Sequence, residues 1–283
     1  MKPIHSALLI LLVSLGLGLP QARGEEPPSP DPQRVVTLAG NITETVFALG
    51  LGDRVVGVDS SSVFPPEAES LPRVGYFRNL NAEGVLAMAP DLVITTDAAG
   101  PPETIEQIRG SGIPLAVLTS AQSFEAAVQR VLDIGKLLNR NEQAAKITAG
   151  MRATLESIVR PAKPPKVLFI YARGAGTLSV AGSGTSADAM IELAGGANAV
   201  SDYEGYKPMS AEAIVAAAPD YILFTSRGLQ SIGGVDEATK LNGISESPAG
   251  RAKKFIALDD LVLLGFGPRT AEGAVELSKA IRN

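Results

Sequence analysis

The chain has 283 residues, of which 45% are hydrophobic and 19% charged, so it can bury the core of one large domain or two modest ones. It contains no cysteine, which excludes disulfides, thiolate metal sites, cysteine nucleophiles and a lipid-anchored N-terminal cysteine. The net charge of −5 comes without a basic stripe, so nucleic acid is not expected as a partner.

The N-terminal residues have the layout of a secretory signal peptide. A lysine precedes the apolar run 7–19, and small residues lead to a cleavage site after Gly24. A membrane anchor is the alternative, but the run is shorter than the roughly 20 residues that a spanning helix needs. We therefore expect residues 1–24 to be removed with the only histidine, His5, and residues 25–33 to form a flexible lead-in. The mature chain would then be exported without membrane insertion.

Short apolar runs alternate with helical patterns along the rest of the chain. Strands covered on both faces are predicted at residues 35–38, 55–58, 92–95, 115–118, 167–171, 221–224 and 255–258. Helices are predicted at residues 43–49, 82–89, 103–109, 187–194, 211–217 and 271–281. This alternation is typical of parallel α/β sheets, and it predicts two Rossmann-like lobes, residues 34–140 and 161–283.

The longest helical pattern lies between the two sets of strands, at residues 141–160, and three prolines follow it. Its apolar residues recur at intervals of three and four and share one face: Ala144, Ile147, Met151, Leu155 and Ile158. A rigid helix of about 27 Å between two α/β units predicts a two-lobed molecule with a fixed geometry. An ordinary surface helix within one domain is the alternative.

An internal repeat relates the two halves. Residues 82–94 align with residues 211–223 at a constant offset of 129 (211 − 82), and each copy combines a helix, a Pro-Asp turn and a strand. Glu83 and Glu212 occupy equivalent places at the helix starts. A glutamate in the first helical turn is favourable on its own, because it faces the positive end of the helix dipole.

The repeat and the long helix resemble the class III substrate-binding proteins of bacterial ABC importers, across residues 34–283. Four segments narrow this resemblance to the periplasmic haem-binding members: residues 75–84, 180–188, 227–234 and 263–269. The resemblance implies a monomeric periplasmic protein without enzymatic activity. It would bind ferric haem and carry it to an inner-membrane ABC permease with its ATPase, for haem and iron uptake.

Tyr76 is the strongest candidate for the haem iron ligand. Ferric haem favours an anionic or strongly basic axial donor, and the mature chain offers only tyrosine, methionine and carboxylates. Arg78 would point the same way in an extended segment, where its charge would favour the phenolate. The resemblance implies that this tyrosine binds the iron and that the arginine supports it. The alternatives are a half-buried loop tyrosine and a surface arginine in an ion pair.

Weaker candidates lie in the second half. Arg227, which follows a predicted strand, suits a haem propionate, and Tyr206 and Met209 could contact the porphyrin. A solvated loop arginine and simple packing are the alternatives for these residues. For Glu83 and Glu212, the resemblance implies docking onto arginines of the permease, one glutamate from each lobe.

Two other functions stay open. An iron-siderophore or cobalamin carrier would share the fold, but its ligand arrives with the metal already chelated and does not need the Gly-Tyr-x-Arg segment at Gly75. An exported α/β enzyme is disfavoured, because the chain has no Gly-x-Ser-x-Gly motif and no mature histidine for a catalytic triad.

Overall fold

The computed structural model describes residues 31–174, 178–208 and 210–282. The predicted signal peptide and the candidate Met209 lie outside the described residues.

The N-terminal lobe is built on a four-stranded parallel sheet in the order β2-β1-β5-β6. Its elements are β1 Val35–Thr37, α1 Gly40–Ala48, β2 Val55–Val58, β3 Gly75–Tyr76, β4 Asn79–Leu80, α2 Ala82–Leu86, β5 Leu92–Thr96, α3 Pro102–Gly110, β6 Leu115–Leu118 and α4 Phe124–Leu137. The central strands β1 and β5 are buried along their whole length, which is why they read as unbroken apolar runs in the sequence.

The C-terminal lobe holds a mixed sheet in the order β10-β8-β7-β11-β12, with β9 also paired to β7. After the helix α5 Asn141–Glu156, its elements are β7 Lys166–Ala172, β8 Leu178–Ala181, α6 Ser186–Leu193, β9 Ala197–Asn198, β10 Tyr206–Lys207, α7 Ala211–Ala217, β11 Tyr221–Thr225, α8 Ser226–Ser231, α9 Val235–Ala238, α10 Pro248–Arg251, β12 Phe255–Leu258, α11 Asp260–Leu264 and α12 Thr270–Ala280.

The predicted α/β fold is confirmed, with one correction to the strand directions. In the C-terminal sheet, β7, β11 and β12 are parallel, but β8 and β10 form an antiparallel edge. Only five residues separate β7 from β8, whereas a connection between parallel strands needs about a dozen or more.

The helix between the lobes begins where the sequence predicts and ends four residues earlier, at Glu156 instead of residue 160. At about 1.5 Å per residue, its 16 residues span about 24 Å. It does not stand alone, because it packs against α4 of the first lobe and α12 of the second. Ala144 and Met151 belong to one hydrophobic cluster that contains core residues of both lobes.

The internal repeat is present in the structure as well as in the sequence. Asp91 accepts a hydrogen bond from the backbone N–H of Arg34 at 3.0 Å, and Asp220 accepts one from Lys166 at 2.8 Å. In each lobe this aspartate therefore holds the start of the neighbouring strand. The alanine two residues before each aspartate has a left-handed backbone, with φ of 45° in the first copy and 47° in the second.

Candidate functional site

The first tyrosine candidate lies on a short hairpin at the carboxyl edge of the N-terminal sheet. In this hairpin β3 and β4 pair antiparallel, with Tyr76 opposite Asn79. Phe77 anchors it through its backbone, because its N–H donates to the buried carboxylate of Asp59 at 3.3 Å and its carbonyl accepts from Gly100 at 2.9 Å. The carboxyl edge of a parallel sheet is where α/β proteins bind ligands.

Tyr76 is 43% exposed, which leaves its side chain accessible to a ligand. Its ring meets the ring of Phe77 edge-on, with centroids 5.0 Å apart. The guanidinium of Arg78 lies 5.1 Å from the centroid of the same Phe77 ring. The segment is not extended through Arg78, because Phe77 and Arg78 form the two-residue turn of the hairpin. The structure therefore brings Tyr76 and Arg78 together around Phe77 and not by strand alternation.

The carboxyl edge of the C-terminal sheet carries an aromatic group. Tyr171 lies near the end of β7 and Tyr206 on β10, with their ring centroids 5.8 Å apart. Burial raises the pKa of Tyr206 to about 12, with a smaller contribution from the nearby Tyr171 and an opposing one from Thr185. Tyr206 is nevertheless 43% exposed, so its ring can contact a ligand while its hydroxyl stays protonated.

Tyr171 differs from Tyr206 in having a cation at its oxygen. Arg173 donates a hydrogen bond from Nε to the Tyr171 hydroxyl at 2.5 Å, and its guanidinium lies 5.4 Å from the centroid of the ring. A positive donor at this atom compensates the negative charge that a phenolic oxygen carries when it binds a metal ion. Tyr171 was not among the predicted site residues.

The signal for this second pair is present in the sequence. Tyr171 and Arg173 repeat the Tyr-x-Arg spacing of Tyr76 and Arg78, and each pair lies close to the carboxyl edge of its own sheet. Tyr171 is partly buried against the hydrophobic core, and its hydroxyl meets the exposed Arg173.

Arg227 lies in the first turn of α8, directly after β11, where the sequence places it. Its guanidinium is 3.9 Å from the carboxylate of Glu69, and the two side chains are 60% and 56% exposed. Glu69 belongs to the segment that follows β2. The pair therefore links the segment after β2 of the first sheet to the carboxyl end of β11 in the second sheet.

Two loop segments of the second lobe have structural roles. The glycine-rich loop before α6 ends in a helix cap, since the Thr185 hydroxyl accepts from the Asp188 N–H at 3.1 Å. Tyr203 has a packing role, because its hydroxyl donates to the Val180 carbonyl at 3.0 Å and its ring packs on the second hydrophobic cluster.

The two repeat glutamates are exposed in the first turns of their helices, α2 and α7. Asn81 and Ser210 cap these helices by accepting hydrogen bonds from backbone N–H groups. A backbone N–H lowers the pKa of Glu212, and Ser210 adds to that effect. Glu212 is therefore ionised at neutral pH and available to a cationic partner.

Residues 31–174, 178–208 and 210–282 contain no group of three or more His, Cys, Asp or Glu side chains that could hold a metal ion. Across the same ranges, every helix is too short or too polar to span a bilayer.

Two α/β lobes that meet at their carboxyl edges, joined by one long helix, define a two-lobed substrate-binding protein. The chain belongs to the periplasmic binding protein family, whose model matches residues 35–261.

Among solved structures, the chain is 45% identical to the periplasmic heme-binding protein RhuT from Roseiflexus sp. RS-1 in its apo form. That likeness covers 88% of this chain and 97% of RhuT, with a TM-score of 0.84. Among curated proteins, it is 30% identical to the uncharacterized ABC transporter substrate-binding lipoprotein YvrC of Bacillus subtilis, over 89% of this chain and 80% of YvrC. It is 28% identical to the vitamin B12-binding protein of Vibrio campbellii, over 72% of this chain and 74% of that protein.

Proposed function

We propose that this protein binds ferric haem in the periplasm and delivers it to an ABC permease of the inner membrane. The observation that carries the proposal is the exposed Tyr76 on its anchored hairpin, in a chain 45% identical to a haem-binding protein over nearly the whole of both lobes. The protein acts as a carrier and catalyses no reaction. It works as a monomer, since each lobe supplies one wall of the cleft.

The donor set of the cleft fits the requirements of haem. Ferric iron accepts an anionic tyrosine oxygen as axial ligand, and Tyr76 is the accessible tyrosine of the first lobe. Tyr171 offers a second oxygen, already paired with Arg173. Tyr206 is the poorer iron ligand because burial raises its pKa to about 12, and we assign it to stacking on the porphyrin. Met209, which lies outside the described residues, stays a prediction for the same role.

The cations of the site match the two haem propionates. Arg227 lies at the cleft and makes only a long, exposed ion pair with Glu69. Within the described part of the chain, Arg78 has no carboxylate partner, and its guanidinium packs on Phe77 next to Tyr76. We assign Arg227 to a propionate and Arg78 to support of the Tyr76 oxygen, where a positive charge favours the bound anion.

Cobalamin is the second candidate ligand, and the 28% identity to a vitamin B12-binding protein favours it. Cobalamin already carries its metal in a chelating ring and needs no tyrosine from the protein. Haem is favoured over cobalamin because the identity to RhuT is higher, and because the cleft has a Tyr-x-Arg pair in each lobe.

Delivery to the permease requires a docking surface away from the iron. Glu83 and Glu212 supply one exposed carboxylate on each lobe, at the first turns of α2 and α7. We propose that they meet basic side chains of the permease, and that residues 1–24 direct export and are then removed.

Titration of the purified protein with haemin, and separately with cyanocobalamin, tests the function. Wild type is expected to give the absorption spectrum of tyrosinate-ligated ferric haem and no change with cyanocobalamin. Tyr76→Phe should abolish tight haemin binding or change that spectrum, because the phenyl ring cannot ligate iron. Tyr203→Phe is the matched control, since Tyr203 binds a backbone carbonyl, and its spectrum should stay that of wild type. Cobalamin binding without haemin binding would overturn the assignment in favour of the second candidate.

A further inference from the structure

The segment between α11 and α12 joins the two lobes through polar contacts that the proposed binding site does not use. We define the strap as Gly265–Arg269. Its Gly265 carbonyl accepts from the Asn41 side chain of α1 at 2.7 Å, and its Phe266 carbonyl accepts from Arg130 of α4 at 3.2 Å. Both donors are buried residues of the first lobe, whereas the strap belongs to the second.

The strongest of these contacts is an ion pair between Arg269 and Glu44. Arg269 donates from Nε to one oxygen of the carboxylate at 2.6 Å and from Nη2 to the second oxygen at 3.2 Å. Glu44 is 3% exposed, and the Arg269 guanidinium stacks 3.5 Å from the centroid of the Phe64 ring. Two parallel hydrogen bonds and a stacked ring fix the guanidinium in both distance and orientation.

The backbone of the strap is itself held in an uncommon conformation. Phe266 is fully buried and has a φ of 52°, in the left-handed region that non-glycine residues rarely adopt. Such a conformation persists only where the surrounding contacts determine it. The polar contacts of the strap with α1 and α4 hold the backbone of Phe266 in this conformation.

Apolar packing does not close the interface next to the ion pair. A cavity of about 630 Å³ lies between α1, α5 and the start of α12, with Glu44 and Arg269 in its wall. The lobes share apolar packing around α4, α5 and α12, and the ion pair of Glu44 and Arg269 borders the unfilled space beside that packing.

We infer that Arg269, acting through Glu44, is a positioning residue that sets the spacing of the two lobes and thereby the width of the haem cleft. This inference rests on the proposed function only for its second part, the effect on haem. Loss of the pair leaves the ligands of each lobe intact but lets their separation vary, so bound haem should dissociate faster.

A double variant separates positioning from stability. Glu44→Met together with Arg269→Met replaces a buried ion pair by apolar side chains, an exchange that often preserves or raises stability. The matched control is Glu125→Met with Arg152→Met. That pair has the same two-pronged geometry, at 2.8 and 2.7 Å, but lies on the surface between α4 and α5. Arg269→Lys keeps the charge and loses the fork, and should fall between wild type and the double variant.

The lobe spacing is measured without haem by pulsed electron–electron double resonance. The two nitroxide labels are attached to cysteines introduced by Gln107→Cys in α3 and Asp236→Cys in α9. The natural chain has no cysteine, so only these two exposed positions are labelled. The Glu44/Arg269 double variant is expected to give a broadened or shifted distance distribution, whereas the surface control should overlay wild type. A double variant that unfolds at the wild-type temperature and yet keeps the wild-type distribution would overturn the inference.

The second measurement is haemin dissociation, followed by transfer to excess apomyoglobin. We expect a rate at least about tenfold higher for the Glu44/Arg269 double variant, an intermediate rate for Arg269→Lys and the wild-type rate for the surface control. A changed distance distribution with an unchanged rate would refute the effect on the cleft. If wild type binds no haemin at all, the proposed function fails, and the distance distribution alone decides whether the pair sets the lobe spacing.

Discussion

The ion pair between Arg227 and Glu69 predicts that the protein binds haem in competition with one of its own carboxylates. A propionate that binds Arg227 must displace Glu69, which lies 3.9 Å away in the ligand-free structure. Glu69→Gln should therefore strengthen haemin binding, whereas Arg227→Gln should weaken it. In the Arg227→Gln background, the change at Glu69 should have no further effect.

The size of the effect follows from the exposure of the pair. Both side chains are more than half exposed, and exposed ion pairs contribute about 0.2–1 kcal/mol. Displacing this pair therefore lowers the haemin affinity by about 1.4- to 5-fold, at an RT of about 0.59 kcal/mol. The gain in Glu69→Gln should shrink as salt is added, because salt screens exposed charges.

The assay is the equilibrium affinity for haemin and for its dimethyl ester, which has the same porphyrin but no propionate charge. Glu67→Gln is the matched control. Glu67 is exposed on the same short helical segment as Glu69 but has no ion pair with Arg227, so the substitution removes the same charge without changing that pair. A higher affinity than that of wild type is expected only for haemin and only in the Glu69→Gln variant. An equal gain with the dimethyl ester, or with Glu67→Gln, would refute the exchange of counter-ions at Arg227.

Three further predictions follow from the cleft, the strap and the repeat. Because burial raises the pKa of Tyr206 to about 12, Tyr206→Phe should remove the most alkaline step from the tyrosinate absorbance titration and leave the iron-ligand spectrum unchanged. Burial also raises the pKa of Glu44 from 4.5, so the folded chain holds this proton more tightly than the unfolded chain. The contribution of Glu44 to the free energy of unfolding should therefore fall as pH rises from about 4.5 through the raised pKa, and Glu44→Gln should remove this negative contribution from the pH slope measured in urea titrations. A pH slope equal to that of wild type would contradict the burial argument. Reversing the charges of both Glu83 and Glu212 should leave the haem spectrum intact but reduce haem-stimulated ATP hydrolysis by the reconstituted permease more than either single reversal does. Undiminished stimulation would remove the docking role.

The predicted strands agree with the structure because each one is a short apolar run between turn residues, although the edge strands β6 and β12 are only partly buried and not covered on both faces as predicted. Three of the seven, including β12 Phe255–Leu258, match at both ends. The strands that the sequence does not predict are those without an apolar run. The strands β9 and β10 have two residues each, too few for any period, and their place depends on pairing with residues far along the chain.

Other differences come from tertiary structure that a single sequence does not specify. The helix α4, Phe124–Leu137, is absent from the predicted elements, although its buried residues Phe124, Val128 and Val131 recur at helical spacing. The side-chain partners across the two lobes are less predictable from the sequence than the helices. Nothing local in the segment 263–269 indicates that Arg269 meets a glutamate 225 positions away.

For the site, the sequence predicts the residue types better than their geometry. Tyr76 and Arg227 lie where strand order places ligand-binding residues, at the carboxyl edges of the sheets. Arg78 does not share a strand face with Tyr76, because Phe77 and Arg78 form a two-residue turn between β3 and β4. The position of this six-residue hairpin is fixed by hydrogen bonds to Asp59 and Gly100, which lie outside residues 75–80.

Those anchors have a consequence for how cargo preference can change. The contacts that fix the hairpin use the N–H and carbonyl of Phe77 and the N–H of Leu80, so they are main-chain groups that any residue other than proline provides. Side chains at positions 76, 78 and 79 can therefore be exchanged while the loop keeps its place on the sheet. Substitutions at these positions, natural or engineered, can change which ligand the hairpin binds without a change in the surrounding fold.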